Sequence, residues 1–355
     1  MKAVVKMGYG PDLLAYMDYP KPAIGRDEVL IKVKAAGICG SDLNLMYGTV
    51  TDKTVDYPIV IGHEFAGEIC GVGADVTRWK EGDRVVSDNT GYVCGICHAC
   101  ATGDYLNCAS RKGMGNDMDG GFAEYVRIPG QVLKTFPNCL YRIPEGCSYE
   151  AASILDPCCN GYKAVVQEAG FKPGETIVVF GAGALGLFCV HMANIVGADR
   201  ISLVGTSEDV GERFVQAGKL GATDFVVSDR EDVCGRIREL CAGREISAVI
   251  DCAGVPVVLE QAMEIVRNGG TIVKIGFSPR PLGYSLDRLV SKAITLKGHM
   301  GYDSTSWMNC LKLLEQGKIH MEHVISSVIP MSEWKVGFEK VKNKEATKII
   351  LVPGK

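Results

Sequence analysis

Cys94, Cys97 and Cys100, followed after seven residues by Cys108, are four thiols at a spacing that can converge on one point. Three closely spaced sulfurs closed by a fourth make the tetrahedron of a structural Zn²⁺ site. The residues between them, among them Gly95, His98, Ala99, Gly103 and Asp104, offer little that could build a core. The metal is therefore expected to order the lobe over 91–110. Disulfides would need an oxidising compartment. A bacterial ferredoxin cluster has a shorter last gap and a following proline, where this chain has Ala109. A nucleic-acid-binding zinc ribbon wants basic and aromatic neighbours, which are few here. Closed structural zinc is the reading.

A second motif is Gly181-Ala182-Gly183-Ala184-Leu185-Gly186, set between the apolar run Thr176–Phe180 and a helical stretch. In that context G-x-G-x-x-G has a physical meaning. Gly181 allows the tight turn, Gly183 lets a pyrophosphate approach the backbone, and Gly186 lets helix and strand pack closely. The helix N-terminus, opening at Ala184 and Leu185, supplies oriented N–H groups to the phosphates. The next strand ends at Gly205, where an NAD site usually carries an acidic residue for the ribose hydroxyls. Thr206, Ser207 and Arg213 could receive the 2′-phosphate of NADP, whereas Glu208 and Asp209 favour NAD if they turn inward. The choice of dinucleotide stays open at this level.

Cys39, and His63 with Glu64, are further metal-ligand types, but taken singly they read as a buried thiol and a hydrogen-bonded imidazole.

These motifs need elements to position them. The first 150 residues are β-rich, with runs at Val29–Val33, Phe65–Val72, Arg84–Ser87 and Phe122–Ile128. From about Leu155 the texture alternates. Thr176–Phe180, Arg200–Val204, Asp224–Val227, Ala248–Cys252 and Thr271–Ile275 are apolar runs separated mostly by helix-length segments such as Gly186–Val196 and Glu208–Leu220. That is the pattern of a parallel sheet with crossover helices. Thr347–Val352 is a final run fit to rejoin the first domain. The expected fold is α/β: a doubly wound dinucleotide domain inserted into a split β-rich domain. Composition agrees. The 355 residues are 47% hydrophobic and 23% charged, enough for two cores. With 38 basic and 42 acidic residues and no long charge run, no nucleic-acid surface is advertised. No apolar stretch reaches the roughly 18–20 residues that span a bilayer, and the start MKAVVKMGYG lacks a signal peptide's apolar run. The 15 cysteines then point to a reducing, cytoplasmic setting.

Gly62-His63-Glu64-x-x-Gly67-x5-Gly73-x-x-Val76 resembles the zinc signature of the medium-chain alcohol/polyol dehydrogenases. The Cys39 motif, the four-cysteine lobe and the Gly181 turn stand in that family's order and at its spacings, so the resemblance covers essentially the whole chain. It implies a GroES-like catalytic domain over 1–154 and 299–355, with a Rossmann NAD(P)-binding domain over 155–298. It implies two Zn²⁺ per chain and a catalytic zinc held by Cys39, His63 and Asp156, the last five residues before Gly161. Zn²⁺ with a thiolate, a neutral imidazole and one carboxylate is net neutral. Glu64 is thus expected to sit behind the ligands or to exchange on and off the metal. Cys158 and Cys159 are out of register and read as packing residues.

The reaction so implied is hydride transfer between an alcohol carbon and nicotinamide, with the zinc favouring ionisation of the alcohol. Ser41 resembles the family's proton-passing hydroxyl. Asn44 replaces a histidine common in relatives, so the proton is expected to leave through water and the cofactor ribose. Asp156 and Glu64 look like the polyol, sugar-alcohol and secondary-alcohol branches. Arg111 and Lys112 are candidates for a substrate phosphate, though such a pair is more often solvated. A zinc-independent quinone or enone reductase and a non-catalytic NAD(P) sensor are the alternatives. By resemblance the chain forms a homodimer or homotetramer, with Ile294–Met300 at a sheet edge able to pair with its copy.

Overall fold

The computed structural model describes residues 1–10, 13–47 and 55–354. It divides into two units, Met1–Asp156 with Ile325–Lys355, and Pro157–Val324. The second boundary falls at Ile325 and not at residue 299. Residues beyond 299 stay with the second unit because helix Ser304–Glu315 buries Trp307, Cys310 and Leu311 there, and Asn309 donates to the Tyr162 hydroxyl (2.9 Å).

In the first unit a seven-stranded sheet is centred on strand Val29–Gly37. Val29, Ile31 and Val33 are buried in the core while Lys32 is exposed, the period-two pattern of a strand. On one side it pairs antiparallel with Glu64–Val72, in a register that sets Gly37 opposite Glu64. On the other it pairs antiparallel with Lys348–Val352, Gly37 facing Ile350. The C-terminal run therefore does return to the first unit, and three distant segments meet where Val29–Gly37 ends. The cysteine lobe carries helix His98–Ala101 and the short turn Tyr105–Asn107. It is not held by sulfur alone: the Tyr105 ring stacks on Phe136, centroids 4.3 Å apart.

The second unit holds a six-stranded parallel sheet in the order Asp224–Val227, Arg200–Gly205, Thr176–Phe180, Ile246–Asp251, Val266–Lys274, Thr295–Gly298. Numbered along the chain this is 3-2-1-4-5-6, the doubly wound order, whose ligands bind at the carboxyl ends of the strands where the order reverses. Two expectations shift. Helix Glu208–Leu220 is broken, because Asp209 folds back to accept from the Thr206 N–H and closes a one-turn 3₁₀ segment. The α-helix then begins at Glu212. The Ile294–Met300 run contains strand Thr295–Gly298, the last in the sheet; its outer edge has no strand partner among the described residues. Among these residues no helix is long and apolar enough to cross a membrane.

His191 lies on helix Ala184–Val196, 2% exposed, and its Nε2 accepts the His320 backbone N–H at 3.0 Å. Burial pushes its pKa down from 6.5 to about 4, and the nearby His320 and His323 act in the same direction against Glu322. The unfolded chain thus binds a proton below pH 6.5 that the folded chain refuses until about pH 4. Stability should fall by about 3 kcal/mol as pH drops through that window. Urea denaturation of wild type and His191→Gln across the window should show the extra loss only in the wild type; parallel curves would refute it.

Candidate functional site

The register of the first unit assembles the metal-ligand types that the sequence scatters. Cys39 lies two residues beyond Gly37, and His63 one before Glu64, so the Gly37–Glu64 pairing brings them together. Candidate ligand atoms of Cys39, His63 and Glu64 all lie within 4.8 Å of one another. Gly62 sets the approach. Its φ is +90°, and a Cβ there would stand 2.3 Å from the Phe122 ring, so only glycine fits.

Two partners of this cluster are not visible in the sequence pattern. Asp42, fully buried, accepts from the Cys39 N–H (2.8 Å), and its other oxygen lies 3.3 Å from His63 Nδ1. Holding Nδ1 in this way leaves Nε2 for a metal, the usual support of a ligating histidine. Burial pushes the His63 pKa down, but the Asp42 and Cys39 charges outweigh it and hold it well above the ordinary value. The Cys39-x-x-Asp42 spacing is the one signal that could have pointed to this partner. Lys348 is the second. It is 2% exposed and donates to both Glu64 oxygens (2.8 and 2.8 Å) and to the Ile38 carbonyl (3.0 Å). Burial alone would push its pKa down, and Glu64 and Cys39 outweigh burial and raise it.

Asp156 stands outside the mutually close trio. Its carboxylate accepts from Asn89 Nδ2 at 2.7 Å, and Arg111 donates to the oxygen of the same amide. Arg111 is therefore turned onto Asn89 and Thr90, while Lys112 is exposed. Ser41 Oγ lies 3.5 Å from His63 Nε2. Asn44 shares helix Gly40–Tyr47 with Ser41 and Asp42. Cys158 and Cys159 are fully buried. His299 is a satisfied structural histidine, its ring nitrogens 2.6 Å from Glu168 and 3.1 Å from Asn160.

Both metal sets fit zinc on chemical grounds. Cys94, Cys97, Cys100 and Cys108 form one compact group. The Cys94 sulfur is 3.9 Å from Cys100 and 3.6 Å from Cys108. Four sulfurs at Zn–S bonds of about 2.3 Å stand about 3.8 Å apart, whereas a disulfide would need about 2.05 Å. In the other set, Cys39, Asp42 and Glu64 surround one imidazole, an anionic arrangement that Lys348 offsets only in part.

In the second unit strand Thr176–Phe180 is wholly buried and runs into the glycine turn. Gly181 takes φ +100°, and a Cβ on Gly186 would fall 1.8 Å from the Gly181 carbonyl oxygen. A Cβ on Gly183 would meet nothing within 4 Å, so the backbone there faces open space. Gly183 caps the helix without a side-chain bond, leaving the N–H groups of Ala184, Leu185 and Gly186 aimed where a pyrophosphate would lie.

A split β unit bearing this metal-ligand cluster, in one chain with a doubly wound dinucleotide unit, defines a class: the NAD(P)-dependent zinc dehydrogenases. Comparison with known proteins agrees. Residues 25–138 match the alcohol dehydrogenase GroES-like domain, and residues 184–316 the zinc-binding dehydrogenase domain. The chain is 42% identical to an uncharacterized zinc-type alcohol dehydrogenase-like protein of Escherichia coli strain K12, over 99% of this chain and 98% of that one. It is 32% identical to a sorbitol dehydrogenase of Halalkalibacterium halodurans, over 99% of each. The crystal structure of galactitol-1-phosphate dehydrogenase from Escherichia coli superposes with a TM-score of 0.87 at 26% identity, covering 99% and 100% of the two chains. The chain belongs to the zinc-dependent medium-chain alcohol dehydrogenase family.

Proposed function

We propose that this enzyme interconverts a secondary hydroxyl of a polyol, sugar alcohol or related sugar derivative and the corresponding ketone, with NAD(P) as the hydride carrier. The observation that carries this reading is the convergence of Cys39, His63 and Glu64, backed by Asp42 and Lys348. The polyol assignment is supported by the relatives, which act on sorbitol and galactitol-1-phosphate, and by carboxylates among the candidate ligands.

Cys39, His63 and Asp156 would hold the catalytic zinc, with Glu64 kept behind them by Lys348. Cys94, Cys97, Cys100 and Cys108 would hold a second, structural zinc. Zinc at the first site supplies Lewis acidity, which lowers the pKa of a bound hydroxyl. Ser41, at hydrogen-bonding range of the same imidazole edge, takes the proton from the substrate oxygen. Asn44 cannot titrate, so this chain offers no histidine at that position to carry the proton onward from Ser41. Gly181, Gly183, Ala184, Leu185 and Gly186 bind the pyrophosphate. The open edge of Thr295–Gly298, flanked by exposed Val290 and Met300, would pair with its copy in a homo-oligomer. The setting would be cytoplasmic. A zinc-independent enone reductase would have no use for the Cys39–His63–Glu64 cluster.

The test is a spectrophotometric screen of polyols, sugar phosphates, secondary alcohols and enones with both dinucleotides. Turnover on a polyol, lost on chelation of the metal, is expected. Turnover on enones alone, surviving the chelator, would overturn the reading.

A further inference from the structure

The end of strand Arg200–Gly205 lacks the usual acidic residue, and Thr206, Ser207 and Arg213 follow it as apparent phosphate donors. In the folded chain each of them is already committed to a carboxylate. Thr206 gives its N–H (2.8 Å) and its hydroxyl (2.9 Å) to Asp209, and Arg213 gives a guanidinium N–H to the same side chain (2.9 Å). Asp209 and Arg213 are 4% and 8% exposed, so this pair is internal scaffolding. Ser207 gives its N–H to one oxygen of Asp229 (2.7 Å) and its hydroxyl to the other (2.5 Å). Asp229 lies just past strand Asp224–Val227, which neighbours Arg200–Gly205 in the sheet. It is exposed, and the Ser207 hydrogen bonds hold its pKa below the usual range.

We infer that Asp229 replaces the missing strand-end acid and makes this enzyme select NAD over NADP. A 2′-phosphate at this strand end needs the Ser207 donors and would meet the Asp229 carboxylate at contact distance. A ribose diol needs acceptors. Each Asp229 oxygen accepts one bond from Ser207 and keeps capacity for another. Arg230 is the exposed cation beside this turn, and Asp229 is the charge against it. Removing the Asp229 charge thus frees the Ser207 donors for phosphate and leaves the Arg230 charge beside them unopposed.

The inference rests on the dehydrogenase reading only in assuming that a dinucleotide binds at the Gly181 turn, and its test reads binding, not turnover. Calorimetric titration of the zinc-replete full chain should show NAD⁺ binding at least about tenfold tighter than NADP⁺. In Asp229→Asn the ratio should narrow by about tenfold, mainly through tighter NADP⁺, as expected for exchanging a like charge for charge-assisted donors. Asp229→Ser should behave alike, and circular dichroism identifies whichever variant is folded. Equal wild-type affinities, or an unchanged ratio in the folded variant, would overturn the inference while leaving the dehydrogenase reading intact. If neither dinucleotide binds the wild type, both fall.

Discussion

Cys39→Ala should lose turnover by about 1,000-fold or more while keeping its fold and one of two zinc ions. Cys39 is a half-buried side chain just beyond the Val29–Gly37 strand, and its sulfur helps to define the anionic cluster with His63 and Glu64. Removing it would take away a proposed ligand but leave the Gly37–Glu64 pairing and the core on either side untouched. About 4 kcal/mol of transition-state stabilisation is a modest figure for a Lewis acid, and it corresponds to the stated loss. Cys100→Ser should behave in the opposite way. The Cys100 sulfur is buried among its three partners, and structural zinc contributes to folding directly. That variant should lose the other zinc, melt at lower temperature and become sensitive to proteolysis within 91–110. Elemental analysis, melting curves and kinetics on the same preparations separate the two. One zinc in active wild-type protein, or a fully active Cys39→Ala, would refute the assignment.

These contrasts are legible in the sequence because the residues involved announce themselves by type and spacing. Cysteines at 94, 97, 100 and 108 have few other uses, and Gly181–Gly186 carries its meaning in the strand before it and the helix after it. The buried run Thr176–Phe180 is equally plain, since a parallel strand covered on both faces reads as nearly unbroken apolar sequence. What the sequence hides depends on register or on a side chain's direction. Glu208–Leu220 has helical texture throughout, but Asp209 commits its carboxylate to Thr206 and Arg213, and the helix starts late. Arg213 and Ser207 look like phosphate donors until the carboxylates that hold them are seen. Asn89, which takes φ +60° inside a buried turn, bridges Arg111 to Asp156, and no spacing rule links those three residues. The domain boundary lies at 325 and not at 299 for a similar reason: the packing of Trp307 and Cys310 is a tertiary fact.

Lys348 is the site residue that the sequence conceals most completely, and it supports the second strong prediction. It opens an apolar terminal strand, where a lysine would ordinarily be placed on the solvent face. The order of strands Glu64–Val72, Val29–Gly37 and Lys348–Val352 instead sets it across the central strand from Glu64, with both side chains almost fully buried. The pair also completes the charge argument. A thiolate and one carboxylate already neutralise Zn²⁺, so Glu64 would blunt the metal's acidity unless a cation held it. Lys348→Met should therefore act twice. Leaving the Glu64 carboxylate buried and unpaired should cost about 3–5 kcal/mol of stability. The released carboxylate should also depress kcat by competing for the metal. Lys348→Met combined with Glu64→Gln removes both charges, so the double variant should recover most of the lost stability, giving a large coupling in a double-mutant cycle. Urea denaturation of the four proteins measures that coupling directly. Additive losses, or a Lys348→Met variant within about 1 kcal/mol of wild type, would mean that Lys348 is not what holds Glu64 in place.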